Sequence, residues 1–341
     1  ALASVTGEDR LRSLALAALR PVLTALAESP RRAAGELGIG GLTGLGSVVY
    51  ALVVCARLLK EPALLAAAES AAGAVDRRQV DSDRELDVVA GSAGALLGLL
   101  ALQEAIGSEP ALERAILCGE HLLARRTATP TGSRAWRSHS EQPLAGFAHG
   151  AAGAAYALLL ASAAFGRPDF RGAAEEAISY EATLFDPAER NWRDLRPAPS
   201  AARRQLSAWC HGASGIGLAR LGGLQLLDSP QVRADVTAAV LTTRSVGQGS
   251  SDQLCCGAMG RVETLLVAGH RLATPQLNSA AREIASQTLS GANGRGRFVL
   301  AGGAVAEGYS PGFFQGLSGI GYQLLRVARP ELPSVLLFEV T

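Results

Sequence analysis

The chain has 341 residues, 48% of them apolar, which is ample for a large core in one big repeat domain or two ordinary ones. Lys and Arg number 32 against 31 Asp and Glu, a net charge of +1, so no basic excess points to nucleic acid. Five cysteines without evenly spaced pairs argue against a secreted disulfide scaffold and fit reduced thiols in a cytoplasm.

From the N-terminus, residues 8–27 carry Leu and Ala at helical spacing, and Ser29-Pro30 stops the helix. Glu8, Asp9 and Arg10 precede any long apolar run, so no signal peptide is recognisable. Residues 37–56 are uncharged and about as long as a membrane span needs to be. Gly38, Gly40, Gly41, Gly44 and Gly46 crowd the first half, however, and the stretch reads as a glycine-rich turn followed by a short helix.

That layout recurs. A first frame, Gly41-Leu42-Thr43-Gly44, runs into a helix over 48–59, and a second helix covers 63–74. Asp87-Val88-Val89-Ala90-Gly91-Ser92-Ala93-Gly94 leads to helices over 95–103 and 110–125, and residues 126–143, with Trp136 and His139, read as loop. Gly146-Phe147-Ala148-His149-Gly150-Ala151-Ala152-Gly153 leads to helices over 154–164 and 170–184. A long polar loop with Arg190, Arg193, Asp194 and Arg196 occupies 186–204.

Trp209-Cys210-His211-Gly212-Ala213-Ser214-Gly215 is the fourth frame and Leu254-Cys255-Cys256-Gly257-Ala258-Met259-Gly260 the fifth. A glycine-rich connection over 291–308 contains one candidate strand, Arg297-Phe298-Val299-Leu300. The sixth frame, Phe313-Phe314-Gln315-Gly316-Leu317-Ser318-Gly319, precedes a helix over 324–329.

Frames beginning at Gly41, Gly91, Gly150, Gly212, Gly257 and Gly316 suit one helix hairpin plus loops per unit. The expected fold is all-α, an α,α-toroid in which inner helices bring their glycine turns to one rim. A linear solenoid shows the same periodicity. In the ring, residues just before the glycines converge, so Cys210, Cys255, Cys256, His149 and Asp87 meet despite their distance in sequence.

Three thiols on two successive frames suit Zn²⁺, which favours sulfur and tetrahedral geometry. Three ligands leave a fourth position open, the pattern of a catalytic zinc, whereas His211 as a fourth ligand would close the site. Two small buried residues plus a chance vicinal pair is the plainer account of the same cysteines. Cys55 and Cys118 lie in apolar helical segments and read as core. His149 occupies the same frame position as His211 and Cys256 and is a candidate acid/base; Asp87 either orients a histidine or caps a helix. His121, His139 and His270 carry no such placement.

Trp209-Cys210-His211-Gly212, followed by Gly215-Ile216-Gly217-Leu218-Ala219-Arg220 and then Cys255-Cys256-Gly257, resembles the lanthionine synthetase C-like cyclases. The stretch from Phe313 to Arg326 and the tail Pro333-Ser334-Val335-Leu336-Leu337 resemble the C-terminus of class II lanthipeptide synthetases. The resemblance covers nearly the whole chain. It implies one cyclase domain over 1–341, a toroid with zinc at its rim, and addition of peptide Cys thiols to dehydroalanine or dehydrobutyrine. It also implies a dehydrated precursor peptide and an N-terminal dehydratase domain as partners, in the cytoplasm.

Most of the family reads Cys-His-Gly where this chain has Cys255-Cys256-Gly257, so the resemblance is to the three-cysteine subset. It places the ligands on Cys210, Cys255 and Cys256, the proposed acid/base on His149 and the acidic residue on Asp87, with His211 as a neighbour that orients or assists. Some relatives carry Arg four residues before the first zinc cysteine; Leu206 stands there, with Arg203 and Arg204 nearby. A non-catalytic peptide- or glutathione-binding module with a structural zinc is the second reading.

Overall fold

The computed structural model describes residues 1–138, 140–196, 206–246, 251–300 and 310–340. They are almost wholly helical. Six helices begin directly after a frame glycine: α4 (Leu45–Leu59), α7 (Ser92–Ile106), α9 (Ala151–Phe165), α11 (Ala213–Gly223), α13 (Ala258–Arg271) and α15 (Leu317–Ala328). Consecutive members pack side by side from α4 to α15. They are apolar on nearly every side: residues 92–102 of α7 and 258–269 of α13 are all buried, as inner helices must be.

A second series covers them. The helices α5 (Ala63–Gly73), α8 (Glu109–Ala124), α10 (Pro168–Ala182), α12 (Pro230–Ser245) and α14 (Pro275–Arg295) each pack on the inner helix that precedes them in sequence. α2 (Asp9–Glu28) and α3 (Pro30–Leu37) lie against α5, α1 (Leu2–Thr6) packs on α2 and α4, and α6 (Arg77–Ser82) packs on α8. Ser29-Pro30 ends α2 but also starts α3: the Ser29 hydroxyl caps it and Pro30 takes the first turn, where no amide is needed.

The C-terminal tail closes the ring. Tyr50 of α4, Tyr156 of α9 and Tyr322 of α15 donate their hydroxyls to the carbonyls of Glu339, Leu337 and Pro333 at 2.7, 2.8 and 2.8 Å. Phe338 packs against Tyr50 with the rings tilted by 48° and their centroids 4.9 Å apart. Glu263 of α13, fully buried, accepts from Gln323 at 2.7 Å and Arg326 at 2.8 Å, and from the Ser334 hydroxyl. One C-terminal strap, with a 3-10 turn at Val335–Leu337, thus joins helices far apart in sequence.

The frames explain their own glycines. The first glycine is the N-cap of each inner helix and offers no side chain to cap it. Three caps arrive from elsewhere: Asp83 accepts the Ser92 amide at 2.8 Å, Glu181 the Ala152 amide at 3.0 Å and Asn191 the Ala213 amide at 2.9 Å. The second glycine is sterically forced. A Cβ at Gly153 would sit 2.0 Å from the Phe147 carbonyl oxygen, and one at Gly215 would lie 1.9 Å from that of Trp209.

Three sequence readings change. The first inner helix is capped by Gly44, so that frame begins three residues after Gly41. Residues 297–300 form no strand: Val299 instead exchanges bonds with Asp252, at 2.7 Å to its backbone amide and 2.7 Å to its carboxylate. The strands present among the described residues are two small hairpins inside segments read as loop, β1 (Thr127–Ala128) with β2 (Arg134–Ala135) and β3 (Phe185–Asp186) with β4 (Asn191–Trp192). His139, Arg203, Arg204 and most of the 291–308 connection beyond Leu300 lie outside the described residues. No helix among the described residues is long and apolar enough to cross a membrane, and the uncharged 37–56 stretch is a turn plus α4.

Candidate metal centre

A circumferential run of backbone hydrogen bonds assembles the rim. The Gly41 amide donates to Val88, Val88 to Ala148, Ala148 to Cys210, Cys210 to Cys255, and Cys255 to Phe314, over 2.9–3.4 Å. From Ala148 to Phe314, residues two before the frame glycine therefore stand beside one another from frame to frame. This puts Cys210 next to Cys255, and Cys256 follows as the next residue. Beneath them Trp209 is fully buried, its ring centroid 5.2 Å from Phe147 and 5.5 Å from Phe314.

The three sulfurs meet. Cys256 Sγ lies 3.3 Å from Cys210 Sγ and 3.2 Å from Cys255 Sγ, and the three donor atoms lie within 4.8 Å of one another. Zinc–sulfur bonds of about 2.3 Å in a tetrahedron need sulfurs roughly 3.8 Å apart, so small side-chain rotations open this cluster to one zinc ion. Soft thiolates are also the right donors for it. The cluster is consistent with a single zinc site.

Its electrostatics favour one ionised sulfur. Hydrogen bonds from Cys210 and Cys255 hold the Cys256 thiol down at about 3, against burial. Cys255 is pushed up by its bonds to Cys210 and Cys256 and then by burial. Cys210 is lowered by the Cys255 contact, but the Cys256 contact and burial outweigh that and raise it. The remaining cysteines behave differently: Cys118 is fully buried and pushed far up by desolvation, and Cys55, half-buried, is raised for the same reason.

Three further candidates adjoin the sulfurs. His149 Nδ1 lies 2.6 Å from Asp87 Oδ2, and Asp87 Oδ1 accepts the Ala90 amide at 2.8 Å. Asp87 is 2% exposed in its side chain and His149 27%, so the carboxylate is hidden and the imidazole faces outward. The His211 ring stacks on that of His149 with centroids 5.9 Å apart, and its Nδ1 faces the Ala145 carbonyl at 3.4 Å. His211 stands outside the sulfur group among the described residues. Burial, with Arg196 adding to it, pushes its imidazolium down to about 4. Of the unassigned histidines, His121 is buried with Nε2 3.1 Å from the Asp83 carbonyl, and His270 lies in the last turn of α13.

Sequence reasoning passed over several residues here. Glu181 accepts the Gly146 and Ala152 amides, both at 3.0 Å, and so holds the loop that carries His149; Arg220 pairs with it at 2.7 Å. Asn191 grips the Cys210 loop from β4. Asp194 and Arg196 form a forked pair beside it. A buried carboxylate on an outer helix has no frame signature of its own, whereas the Asp-x-Arg spacing of 194 and 196 was readable as a local pair.

The lanthionine synthetase C-like protein family matches residues 1–339. No curated protein matches the sequence. Among solved structures, nisin cyclase superposes with a TM-score of 0.52 at 17% identity, over 94% of this chain and 96% of that one. An inactive variant of the α-1,6-mannanase GH76A of Salegentibacter sp. HEL1_6 superposes with a TM-score of 0.56 at 12% identity, over 93% of this chain and 99% of that one. The cellobiose 2-epimerase from Bacillus thermoamylovorans B4167 does so with 0.51 at 11%, over 72% and 75%. These likenesses establish the helical ring and are silent on chemistry, since they include sugar enzymes. With the family match spanning the frames and the three cysteines converging at the rim, the chain belongs to the lanthionine synthetase C-like family.

Proposed function

We propose that this chain is a zinc-dependent lanthipeptide cyclase that adds peptide Cys thiols to dehydroalanine or dehydrobutyrine, forming thioether rings. The observation that carries this reading is the meeting of Cys210, Cys255 and Cys256 on one rim that also presents the His149–Asp87 pair. Cys210, Cys255 and Cys256 hold the zinc ion, which when bound acts as a Lewis acid that keeps a substrate thiol ionised at neutral pH.

The protein's own groups do the rest. Thiolate addition to the β-carbon leaves an enolate whose α-carbon must receive a proton. His149 is the donor: its outward imidazole is oriented by the 2.6 Å bond to Asp87, which stabilises the protonated ring. His211, held neutral by burial and stacked on His149, packs one side of that ring and limits its rotation. The aromatic layer of Trp209, Phe147 and Phe314 closes the rim from below and keeps water out.

A binding module with a structural, closed zinc site would need a fourth protein donor. His211 stands apart from the sulfurs, which supports an open position and hence catalysis. The three-cysteine set and the C-terminal motifs support the cyclase domain of a class II synthetase, acting in the cytoplasm with a dehydratase domain and its precursor peptide as partners.

The test is a free-thiol count by alkylation and mass spectrometry on a dehydrated, Cys-containing peptide. Loss of alkylatable thiol with the parent chain and not with Cys256→Ala is the expected result. Persistence of thiols with a zinc-loaded parent, even after a dehydratase domain is supplied in trans, would overturn the cyclase reading.

A further inference from the structure

The turn that carries Cys210 is built unlike the other frames. Five of the six glycines that cap the inner helices sit in extended backbone, with φ between −111° and −137°, but Gly212 stands at φ 78°, in the left-handed region that favours glycine. A Cβ there would lie 1.9 Å from the Leu206 carbonyl oxygen, so the chain entering the turn runs back against the glycine that ends it. Asn191 of β4, 2% exposed, reaches both arms: its Oδ1 accepts the Ala213 amide at 2.9 Å, and its Nδ2 donates to the Leu206 carbonyl at 3.3 Å. The same oxygen accepts the Trp192 amide at 2.9 Å, which fixes the orientation of the carboxamide. The hairpin is itself anchored: the Thr242 hydroxyl of α12 donates to the Arg190 carbonyl at 2.5 Å, and Arg190 takes φ 50°, uncommon for a residue with a side chain.

The residue type follows from what the turn offers. The clamps on the two preceding frames face donors: Asp83 accepts the Ser92 amide and hydroxyl, and Glu181 accepts the Gly146 and Ala152 amides and Arg220. A carboxylate serves there. The Cys210 turn presents an amide and a carbonyl together; a carboxylate cannot donate to the second, whereas a carboxamide meets both. The Cys210 amide donates to the Cys255 carbonyl at 3.4 Å and its sulfur lies 3.3 Å from that of Cys256, so a shift of this turn moves one sulfur against the other two. We propose that Asn191 is a positioning residue for Cys210: by bonding the chain on both sides of the left-handed Gly212 turn, it holds Cys210 beside Cys255 and Cys256 and so sets how tightly the site holds zinc. This rests on the zinc reading above and adds to it the part that builds the Cys210 side of the site.

The experiment measures zinc affinity of the full chain by competition with a chromophoric chelator, apart from any cyclisation assay. Asn191→Ala should weaken zinc binding about tenfold, the low end for loss of a group that orients a metal ligand. With Co²⁺ bound in place of zinc, its thiolate-to-metal absorption should fall by about a third, because one sulfur of three is displaced. Asp83→Ala is the matched control: it truncates the clamp of a frame without cysteines and should lower the melting temperature with zinc affinity and the Co²⁺ spectrum unchanged. Should Asn191→Ala not fold, Asn191→Asp keeps the Ala213 and Trp192 contacts, loses the Leu206 one, and should still weaken zinc about threefold. Parent-like affinity in a folded Asn191 variant, or an equal loss in Asp83→Ala, would overturn the proposal, the second result marking a general loosening of the ring. A parent chain that binds no zinc would overturn the metal reading and this inference together. A chain that binds zinc, shows the Asn191 dependence and yet never cyclises a peptide would support this inference and sink the cyclase reading alone.

Discussion

Replacing Asp87 by Asn tests the contact on which the proposed proton delivery by His149 rests. Asp87 Oδ1 accepts the Ala90 amide at 2.8 Å, and its Oδ2 faces His149 Nδ1 at 2.6 Å. An asparagine keeps the first, since its carbonyl oxygen must stay on the Ala90 N–H, and this turns its NH₂ toward His149. The imidazole Nδ1 must then accept instead of donate, and the charged ring loses the Asp87 carboxylate. A hydrogen bond to an ionised group contributes about 1.5–3 kcal/mol, which is about 10- to 100-fold in rate. Single-turnover cyclisation followed by alkylation and mass spectrometry should show that drop, with His149→Ala losing about 10²- to 10⁴-fold. The double variant should be no slower than His149→Ala, because Asp87 acts through the ring. Parent-like rates in Asp87→Asn, or losses that multiply in the double variant, would refute the assignment.

Glu181→Gln removes the charge facing buried Arg220 while leaving an acceptor for the Gly146 and Ala152 amides. Asp235, 3.0 Å from Arg220, retains part of the pairing, so the cost should fall at about 3 kcal/mol, the low end for a broken buried pair. At roughly 2.1 cal/mol/K per residue, this lowers the melting temperature of a 341-residue chain by about 4 °C by thermal denaturation. Gly153→Ala puts a Cβ 2.0 Å from a carbonyl oxygen and should cost about 3 kcal/mol or prevent folding, whereas Gly172→Ala, in the open on α10, should stabilise by about 0.5–1 kcal/mol; equal melting shifts would refute the packing argument. Burial opposes ionisation of Glu176, but Arg134, Arg126 and the Arg134 amide outweigh it and hold its carboxyl below the usual range. Its contribution is therefore present above the unfolded pKa of about 4.3 and fades as pH falls, so Glu176→Gln should lower the melting temperature at pH 7 and not at pH 3.

The inner helices were legible because the signal is local and repeated: a glycine that starts a helix and a second that lets a carbonyl approach it. The sulfur cluster was legible for the same reason, each cysteine keeping a fixed offset from its glycine. The first frame slipped to Gly41 because Gly38, Gly40, Gly41, Gly44 and Gly46 offer several registers, and only the Leu45–Leu59 helix settles that Gly44 is the cap. Glu181, Glu263 and Asn191 stayed hidden because their partners lie 15–71 residues away and no periodicity carries such a pairing. The tail's closing role was equally invisible: three tyrosines on three helices converge on it only after the ring forms.

Ring geometry also explains why these residue types occupy these offsets. From Ala148 to Phe314, residues two before the glycine are bonded backbone to backbone, Cys210 N to Cys255 O at 3.4 Å among them. Two cysteines at that offset in adjacent frames must therefore lie side by side, and a third at the next position of one frame completes a triangle with no further device. His149 and His211 hold that next position in the two preceding frames, and their stacked rings continue the line away from the sulfurs. The three sulfurs and the His149–His211 pair thus fall along one arc, spaced by the frames themselves. Moving either group by one frame would need a new pair of side chains and also a new external anchor, because Glu181 and Asn191 each serve one frame. The repeated scaffold sets where chemistry can sit; the unrepeated outer residues fix which frame carries it.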